Sequence, residues 1–297
     1  SPITTEPSEP ITKPTEPTEP GMPEIPAEST FSIHFIDVGQ ADTALVECDG
    51  HYMLIDGGNK ADSNLIYAVL KRANVKKLDI VVGTHAHEDH VGGLAAVLEN
   101  FPVDTLYCPV RNYVSQWFSN FLKHARAQDL ALTVPQPGDS FPLGSAQVTI
   151  LGPVKHYADP NNTSIILKVE YGESSFLFTG DSEIGPENDM LDYWGEEFDW
   201  EVDVLKVGHH GSDTSTGYRM LYYTDPEQGV ISVGEDNKYD HPSRQTLSRL
   251  RDADAVIYRT DRLGTVIART DGRQIEFLWN SDAQPQMPDS DHQLYIG

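Results

Sequence analysis

The chain has 297 residues, and its 46 Asp and Glu outnumber 21 Lys and Arg to leave a net charge of −25. That balance excludes a broad basic surface for long nucleic acid, because the sequence-independent part of such binding comes from cations neutralising phosphates; it leaves room for a nucleotide or a strand end held at a metal. No apolar run approaches the roughly 18 to 20 residues that cross a bilayer, so the sequence offers no transmembrane segment, and its length fits one globular domain with tails.

Residues 1–30 repeat Thr-Glu-Pro units (Thr4-Thr5-Glu6-Pro7, Thr15-Glu16-Pro17, Thr18-Glu19-Pro20) and lack core-forming periodicity, which predicts a disordered or polyproline-like linker. Its six Glu and one Lys account for five of the net negative charges, so the remainder stays strongly acidic. A Thr/Pro/Glu-rich stalk before an acidic domain suits an exported, extracellular or cell-surface protein tethered to a cell envelope, and a start at Ser1 suits a mature or trimmed chain. Strands are expected over 31–38, 43–48 and 51–56, with a turn at Asp49-Gly50. A helix over 63–73 follows, with Leu65, Ile66, Val69 and Leu70 on one face. Then come the strand Leu78-Asp79-Ile80-Val81-Val82-Gly83, the segment His85-Ala86-His87-Glu88-Asp89-His90, and a helix after the tight turn expected at Gly92-Gly93. The pattern continues with a strand over 105–108, a helix over 117–128, and strands over 147–151, 164–170 and 174–179. The second half repeats this alternation, with strands over 202–207, 230–233 and 255–258 separated by helices, then a final hairpin. Two sheets with helices outside both would bury this much apolar strand. The domain is expected to span 31–279, with a polar tail over 280–297. Cys48 and Cys108 leave a disulfide and two buried thiols equally open.

The segment His85 to His90 packs three imidazoles and two carboxylates directly after an apolar strand, and this is the pattern of a metal site. His85 and His87, two apart, can point the same way from an extended segment, while Asp89 and His90 lie past a bend and can serve a second ion. Two further clusters end strands. Phe176-Leu177-Phe178-Thr179-Gly180-Asp181 delivers a carboxylate able to bridge two cations, or to cap the next helix. Val204-Leu205-Lys206-Val207-Gly208-His209-His210 ends in imidazoles, one of which is expected to be a ligand.

These features together, the HxHxDH order, the Phe-Thr-Gly-Asp strand end and the later strand-end histidine, resemble the metallo-β-lactamase superfamily over about residues 31–279. Asp37-Val38-Gly39-Gln40, Leu54-Ile55-Asp56-Gly57-Gly58, Asn161-Asn162-Thr163-Ser164, Gly208-His209-His210-Gly211-Ser212 and Asp240-His241-Pro242 look most like the extracellular hydrolase domain of competence-type DNA-uptake proteins. A more distant likeness is to cell-surface phosphorylcholine esterases. The resemblance implies an α/β fold, a four-layer αβ/βα sandwich with a one- or two-metal site between its sheets. It would give His85 and His87 to a first ion, Asp89, His90 and His210 to a second, and Asp181 to both, with His209 an alternate ligand or a substrate contact. Where most of the superfamily offers another histidine to the first ion, this chain offers Asn161 and Asn162. An amide oxygen is a weaker, harder ligand, so that site would bind loosely, prefer manganese over zinc, or complete its shell with water.

A divalent ion, zinc or manganese, at one or two positions per chain would make hydroxide available at neutral pH, and no protein nucleophile is needed. Asp89 is expected to orient the water as well as bind metal. Asp56 and Asp37 are candidates for holding a histidine's outer N–H, a plain turn being the alternative for Asp56. His241, before Pro242 and Ser243 at an expected helix start, is a candidate donor to a substrate phosphate or leaving oxygen, or simply a helix-entry residue. The expected activity is phosphodiester hydrolysis on a nucleic acid end, a nucleotide or a phosphorylcholine polymer. The competing expectations are hydrolysis of a carbonyl centre such as a lactone, thioester or β-lactam, and a catalytically idle binding module.

Overall fold

A computed structural model describes residues 30–288; the expected linker before Thr30 and residues 289–297 lie outside the described residues. Chain order begins with strands β1 (Phe31–Phe35), β2 (Ala44–Cys48) and β3 (His51–Ile55), followed by helix α1 (Ser63–Arg72) and strand β4 (Leu78–Val82). Next are the one-turn α2 (Glu88–Val91), α3 (Leu94–Asn100), β5 (Val103–Tyr107), α4 (Gln116–Ala127) and β6 (Leu132–Thr133). The second half has β7 (Ser140–Leu143), β8 (Ala146–Gly152), β9 (Ile166–Tyr171), β10 (Ser174–Phe178), α5 (Ile184–Trp194), β11 (Val204–Lys206), α6 (Tyr218–Thr224), β12 (Gln228–Ile231), α7 (Arg244–Asp252) and β13 (Val256–Arg259). A short α8 (Thr260–Leu263) leads to the closing hairpin β14 (Val266–Thr270) and β15 (Ile275–Leu278), which returns to the first sheet.

The strands form an eight-stranded sheet in the order β15-β14-β1-β2-β3-β4-β5-β6 and a seven-stranded sheet in the order β13-β12-β11-β10-β9-β8-β7. Each sheet opens with antiparallel hairpins and ends in parallel crossovers, from β3 to β6 in one and from β10 to β13 in the other. Period-two alternation sorts the side chains. Phe176 and Phe178 face the core between the sheets, where Phe176 stacks on Phe31 at 5.2 Å, while Leu177 faces the layer under α5, α6 and α7. The opposite face of the first sheet is covered by α1, α3 and α4 through Ile66, Leu70, Leu94, Phe118 and Phe121. The result is the four-layer αβ/βα sandwich.

The structure sharpens four of these readings. Leu65 points outward, because the arc that α1 presents to the sheet centres on Ile66 and Leu70. Gly92 and Gly93 form the turn between α2 and α3 with helical dihedrals, and what requires glycine there is close approach, since a Cβ on Gly93 would collide with the Gly57 carbonyl oxygen. Cys48 packs between the sheets and Cys108 on the first sheet's helical face, so the two thiols are buried apart and free. The polar stretch after Trp279 stays on the domain: the Trp279 indole donates to Ala283 O, and Gln286 pairs with Ile257 of β13.

Because β3 and β4 run parallel in one sheet and β10, β11 and β12 in the other, their carboxyl ends gather along one rim. There Ile165 N donates to Thr84 O and joins the halves at 2.9 Å. Gly180 has φ +52°, and a Cβ there would sit 2.9 Å from Ser164 Cβ, so glycine is what lets the β10 tip close against this junction.

Candidate metal centre

Each strand end at the rim delivers one part of the site. After β4, the buried His85 turns Nδ1 to Thr84 Oγ1 (3.3 Å) and Ser164 Oγ (3.4 Å), leaving Nε2 3.1 Å from His87 Nδ1. Past the bend, α2 presents Asp89 and the buried His90. After β10 comes Asp181, whose N–H donates to Ser164 Oγ at 3.0 Å. Asp181 Oδ1 lies 3.3 Å from His90 Nε2, while its Oδ2 lies 3.8 Å from both His85 Nε2 and His210 Nε2. His210 Nε2 is also 3.2 Å from Asp89 Oδ2. Asp89, His90, Asp181 and His210 thus converge as one group of potential ligands, with His85 beside Asp181 and His87 next to His85.

The outer nitrogens are held by residues from far along the chain. Asp56, at the end of β3, accepts from Thr84 N, Thr84 Oγ1 and His90 Nδ1, each at 2.7 Å. His210 Nδ1 lies 3.1 Å from Ser232 O and 3.4 Å from Asp42 Oδ1. Asp42 is itself gripped by the buried Lys206 ammonium at 2.9 Å. Asp37 does not take the role expected of it: its carboxylate accepts from Gly39 N–H within its own turn, and Asp42, five residues on, is the carboxylate that reaches a histidine. Sequence reasoning missed Asp42 and Lys206, although a lysine inside the apolar run Val204-Leu205-Lys206-Val207 signals a buried carboxylate partner.

His209 and His210 both occupy the left-handed region (φ 51° and 53°). Such dihedrals cost about 1–2 kcal/mol per non-glycine residue and mark a segment held by its surroundings. The hold is visible: His209 N donates to Gly180 O, Glu187 accepts from Thr216 N and Gly217 N, and Arg249 donates to the carbonyls of Asp213, Ser215 and Thr216. His209 itself lies at the mouth, its Nε2 3.6 Å from Asp181 Oδ2 and its Nδ1 3.4 Å from Thr214 Oγ1, outside the convergent group of four. His241 precedes α7, whose N-cap is Ser243; its ring is half-buried, 5.8 Å from that of His209. The two asparagines diverge. Asn162 is committed to Glu183, donating to its side chain and accepting from its backbone N–H, whereas Asn161 Oδ1 is buried without a hydrogen-bond partner.

Charge is concentrated here. Burial opposes a cation on His90, yet Asp181, Asp56 and Asp89 outweigh it and hold that imidazole's pKa well above the ordinary value. Burial likewise opposes charging of His210, and Asp181 with Asp42 raises it to about 10. His85 is held well below its usual value by burial and by the charge of His90. Burial would raise Asp89 and Asp181; His90 and His210 overcome it, bringing Asp89 down to about 2 and Asp181 well below the carboxylate range. Burial, then the charges of His209 and His210, lowers His241 to about 4.

These donors fit a divalent metal. His90 Nε2, Asp181 Oδ1 and Asn161 Oδ1 are buried polar atoms with no hydrogen-bond partner. Ligand atoms at about 2.0–2.1 Å around a tetrahedral ion lie roughly 3.3 Å apart, close to the 3.1, 3.2 and 3.3 Å separations found here. Asp42, Asp56 and His90 also cluster, but Asp42 is bound to Lys206 and Asp56 to Thr84, so they form the supporting layer of the same centre.

Residues 36–235 match the Metallo-beta-lactamase superfamily. ComE operon protein 3 of Bacillus subtilis (strain 168) is 30% identical over 261 residues, covering 81% of this chain and 33% of that protein. Competence protein ComA of Neisseria gonorrhoeae is 29% identical over 241 residues, covering 80% and 32%. The chain therefore spans about a third of the length of these relatives. Among solved structures, the metallo-beta-lactamase fold protein YhfI from Bacillus subtilis superposes with a TM-score of 0.56 at 12% identity, covering 81% of this chain and all of that one, a likeness of fold alone. Motif, layered sheets and the match over residues 36–235 agree, and this chain belongs to the metallo-beta-lactamase superfamily.

Proposed function

We propose that this metal-dependent hydrolase cleaves phosphodiesters, with a nucleic acid strand or its end as the favoured substrate. The observation that carries the reading is Asp181, whose two oxygens face donors assigned to different ions, Oδ1 toward His90 Nε2 at 3.3 Å and Oδ2 toward His85 Nε2 at 3.8 Å. A carboxylate so placed suits a paired-metal site, and paired metals suit displacement at an anionic phosphorus. When bound, divalent ions lower the pKa of water from about 15.7 towards 7 and neutralise charge on the phosphate oxygens. His85 through Nε2 and His87 through Nδ1 would hold the first ion, with Asn161 the remaining amide candidate; Asp89, His90 and His210 would hold the second. Asp89, partly exposed, would also orient the attacking water. His241 would donate to a phosphate oxygen at the mouth, and His209 would contact substrate there.

One relative is called Competence protein ComA, and a competence-type role would favour a nucleic acid substrate for this chain. The acidic domain is compatible with it, since grip at a metal needs no basic surface. A competence-type role also suits placement at the cell surface, and no helix among the described residues is long and apolar enough to cross a membrane.

The test is metal analysis by mass spectrometry paired with assays on chelator-treated protein reloaded with zinc or manganese. The substrates are bis-p-nitrophenyl phosphate, end-labelled DNA, a phosphorylcholine polymer, a thioester and a β-lactam. Near two ions per chain with restored diester cleavage supports the reading. Turnover of the carbonyl substrates alone would replace it with acyl hydrolysis, and no turnover under any metal would leave a binding module.

A further inference from the structure

We propose that Gln40 is a positioning residue that holds the His241 ring with its proton on Nε2, so that a neutral imidazole presents an N–H to an anionic oxygen of the substrate. The identity of that oxygen rests on the phosphodiester reading; the state of the ring does not.

Gln40 lies in the loop between β1 and β2 and reaches across the site to the opposite half of the sandwich. Its amide has one orientation available. Gly234 N–H donates to Gln40 Oε1 at 3.1 Å, which turns Nε2 toward His241, 3.4 Å from its Nδ1. An amide nitrogen has only protons to offer, so Nδ1 accepts and the ring's single proton resides on Nε2. The approach is close enough that a Cβ on Gly234 would lie 2.6 Å from Gln40 N, so only glycine lets the two halves meet here. The other side of the ring is fixed by its own loop. Asn237 Oδ1 accepts from His241 N and its Nδ2 donates to His241 O, while the Tyr239 ring stacks on the imidazole at 5.6 Å.

The contrast with the buried histidines gives the arrangement its meaning. His90 and His210 have oxygen acceptors at Nδ1, from Asp56 and from Ser232 with Asp42, which keep a proton on that nitrogen and leave Nε2 as the one a cation would take in place of a proton. His241 has a donor at Nδ1 and offers the opposite polarity, an N–H suited to an anion. One site thereby presents imidazoles of both senses, and the difference is written in what stands behind each ring.

The experiment reads the His241 ring nitrogens by 15N NMR in zinc-loaded wild type, Gln40→Glu and Gln40→Met, with inorganic phosphate as the probe ligand and bis-p-nitrophenyl phosphate as substrate. Gln40→Glu keeps an oxygen for Gly234 N–H, which guards the fold, and turns its other oxygen to Nδ1. Expected are a wild-type proton on Nε2, a protonated Nδ1 in Gln40→Glu, and loss of the single-tautomer signature in Gln40→Met. Measured above the pKa to which the new carboxylate lifts the ring, so that Gln40→Glu holds a neutral ring with its proton on Nδ1, the inhibition constant for phosphate and the KM for the diester should rise about tenfold or more at unchanged metal content, the loss of one hydrogen bond to a charged group. A wild-type proton on Nδ1, a Gln40→Glu ring identical to wild type, or an unchanged phosphate constant would overturn the proposal. Failure of the phosphodiester reading reads out separately, as wild-type protein that cleaves no diester under any metal whatever the tautomer.

Discussion

Exchanging Asp56 for asparagine should disarm the second metal position without changing the size of the residue. Asp56 accepts three bonds of 2.7 Å, from Thr84 N, Thr84 Oγ1 and His90 Nδ1. In Asp56→Asn the amide oxygen can keep the Thr84 N–H, and the Thr84 hydroxyl can rotate to accept. The His90 ring cannot donate into an NH2 group. It therefore takes the other tautomer, with its proton on Nε2, the atom 3.3 Å from Asp181 Oδ1 that would otherwise face the ion. Metal binding must then reverse that tautomer and leave a buried donor facing a donor. One lost bond and one unsatisfied group amount to about 2–4 kcal/mol, or roughly 30- to 1,000-fold in affinity. Asp56→Ala removes the acceptor without inverting the ring and should weaken binding less, by about 10- to 100-fold. Competition against a chromogenic chelator measures both, with thermal unfolding of each variant as the check on folding. An Asp56→Asn affinity within threefold of wild type, or an alanine variant weaker than the asparagine one, would refute the reasoning.

Three further outcomes follow from the same geometry. Asp181→Ala should lose both ions and all turnover by mass spectrometry and assay, while His209→Ala should keep near-normal metal and His210→Ala should lose one ion; the reverse pattern for the two histidines would exchange their roles. In chelator-treated protein, burial works against a charged His210 but Asp181 and Asp42 raise it from 6.5 to about 10, so the folded state keeps a proton that the unfolded chain releases between those values. Its stabilising contribution is therefore full below pH 6.5 and lost as pH approaches 10, and the unfolding midpoint should fall across that window while metal-loaded protein falls less. Phe176→Ala, which empties a position stacked against Phe31 between the sheets, should cost about 3–5 kcal/mol, lowering the midpoint by roughly 10 °C in calorimetry.

The parts of the site legible in the sequence were those written locally. Three imidazoles and two carboxylates within His85 to His90, and the strand-end Asp181 and the pair His209-His210, announce themselves by residue type and by an apolar run before each. Strand positions were legible for the same reason, because Phe176, Leu177 and Phe178 can only be buried on both faces. What stayed hidden depends on contacts between distant segments. Nothing local separates Asp37 from Asp42 in one short loop; only the packing of β11 against the site puts Lys206 beside Asp42 and turns Asp42 toward His210. Asn161 and Asn162 were equivalent by sequence, and Glu183 is what distinguishes them. The glycine pair after the motif was legible as important but not for its reason, since its dihedrals are ordinary and its neighbours are what exclude a side chain.

The two thiols have a consequence beyond packing. Cys48 and Cys108 lie on opposite faces of one sheet, both buried, and burial lifts each to about 12, so neither is ionised enough to react under ordinary conditions. The candidate metal centre uses only imidazole, carboxylate and amide groups. Among the described residues neither the scaffold nor its donor set therefore offers a thiol-based switch, and the domain should fold and load metal equally well whether its surroundings favour thiols or disulfides.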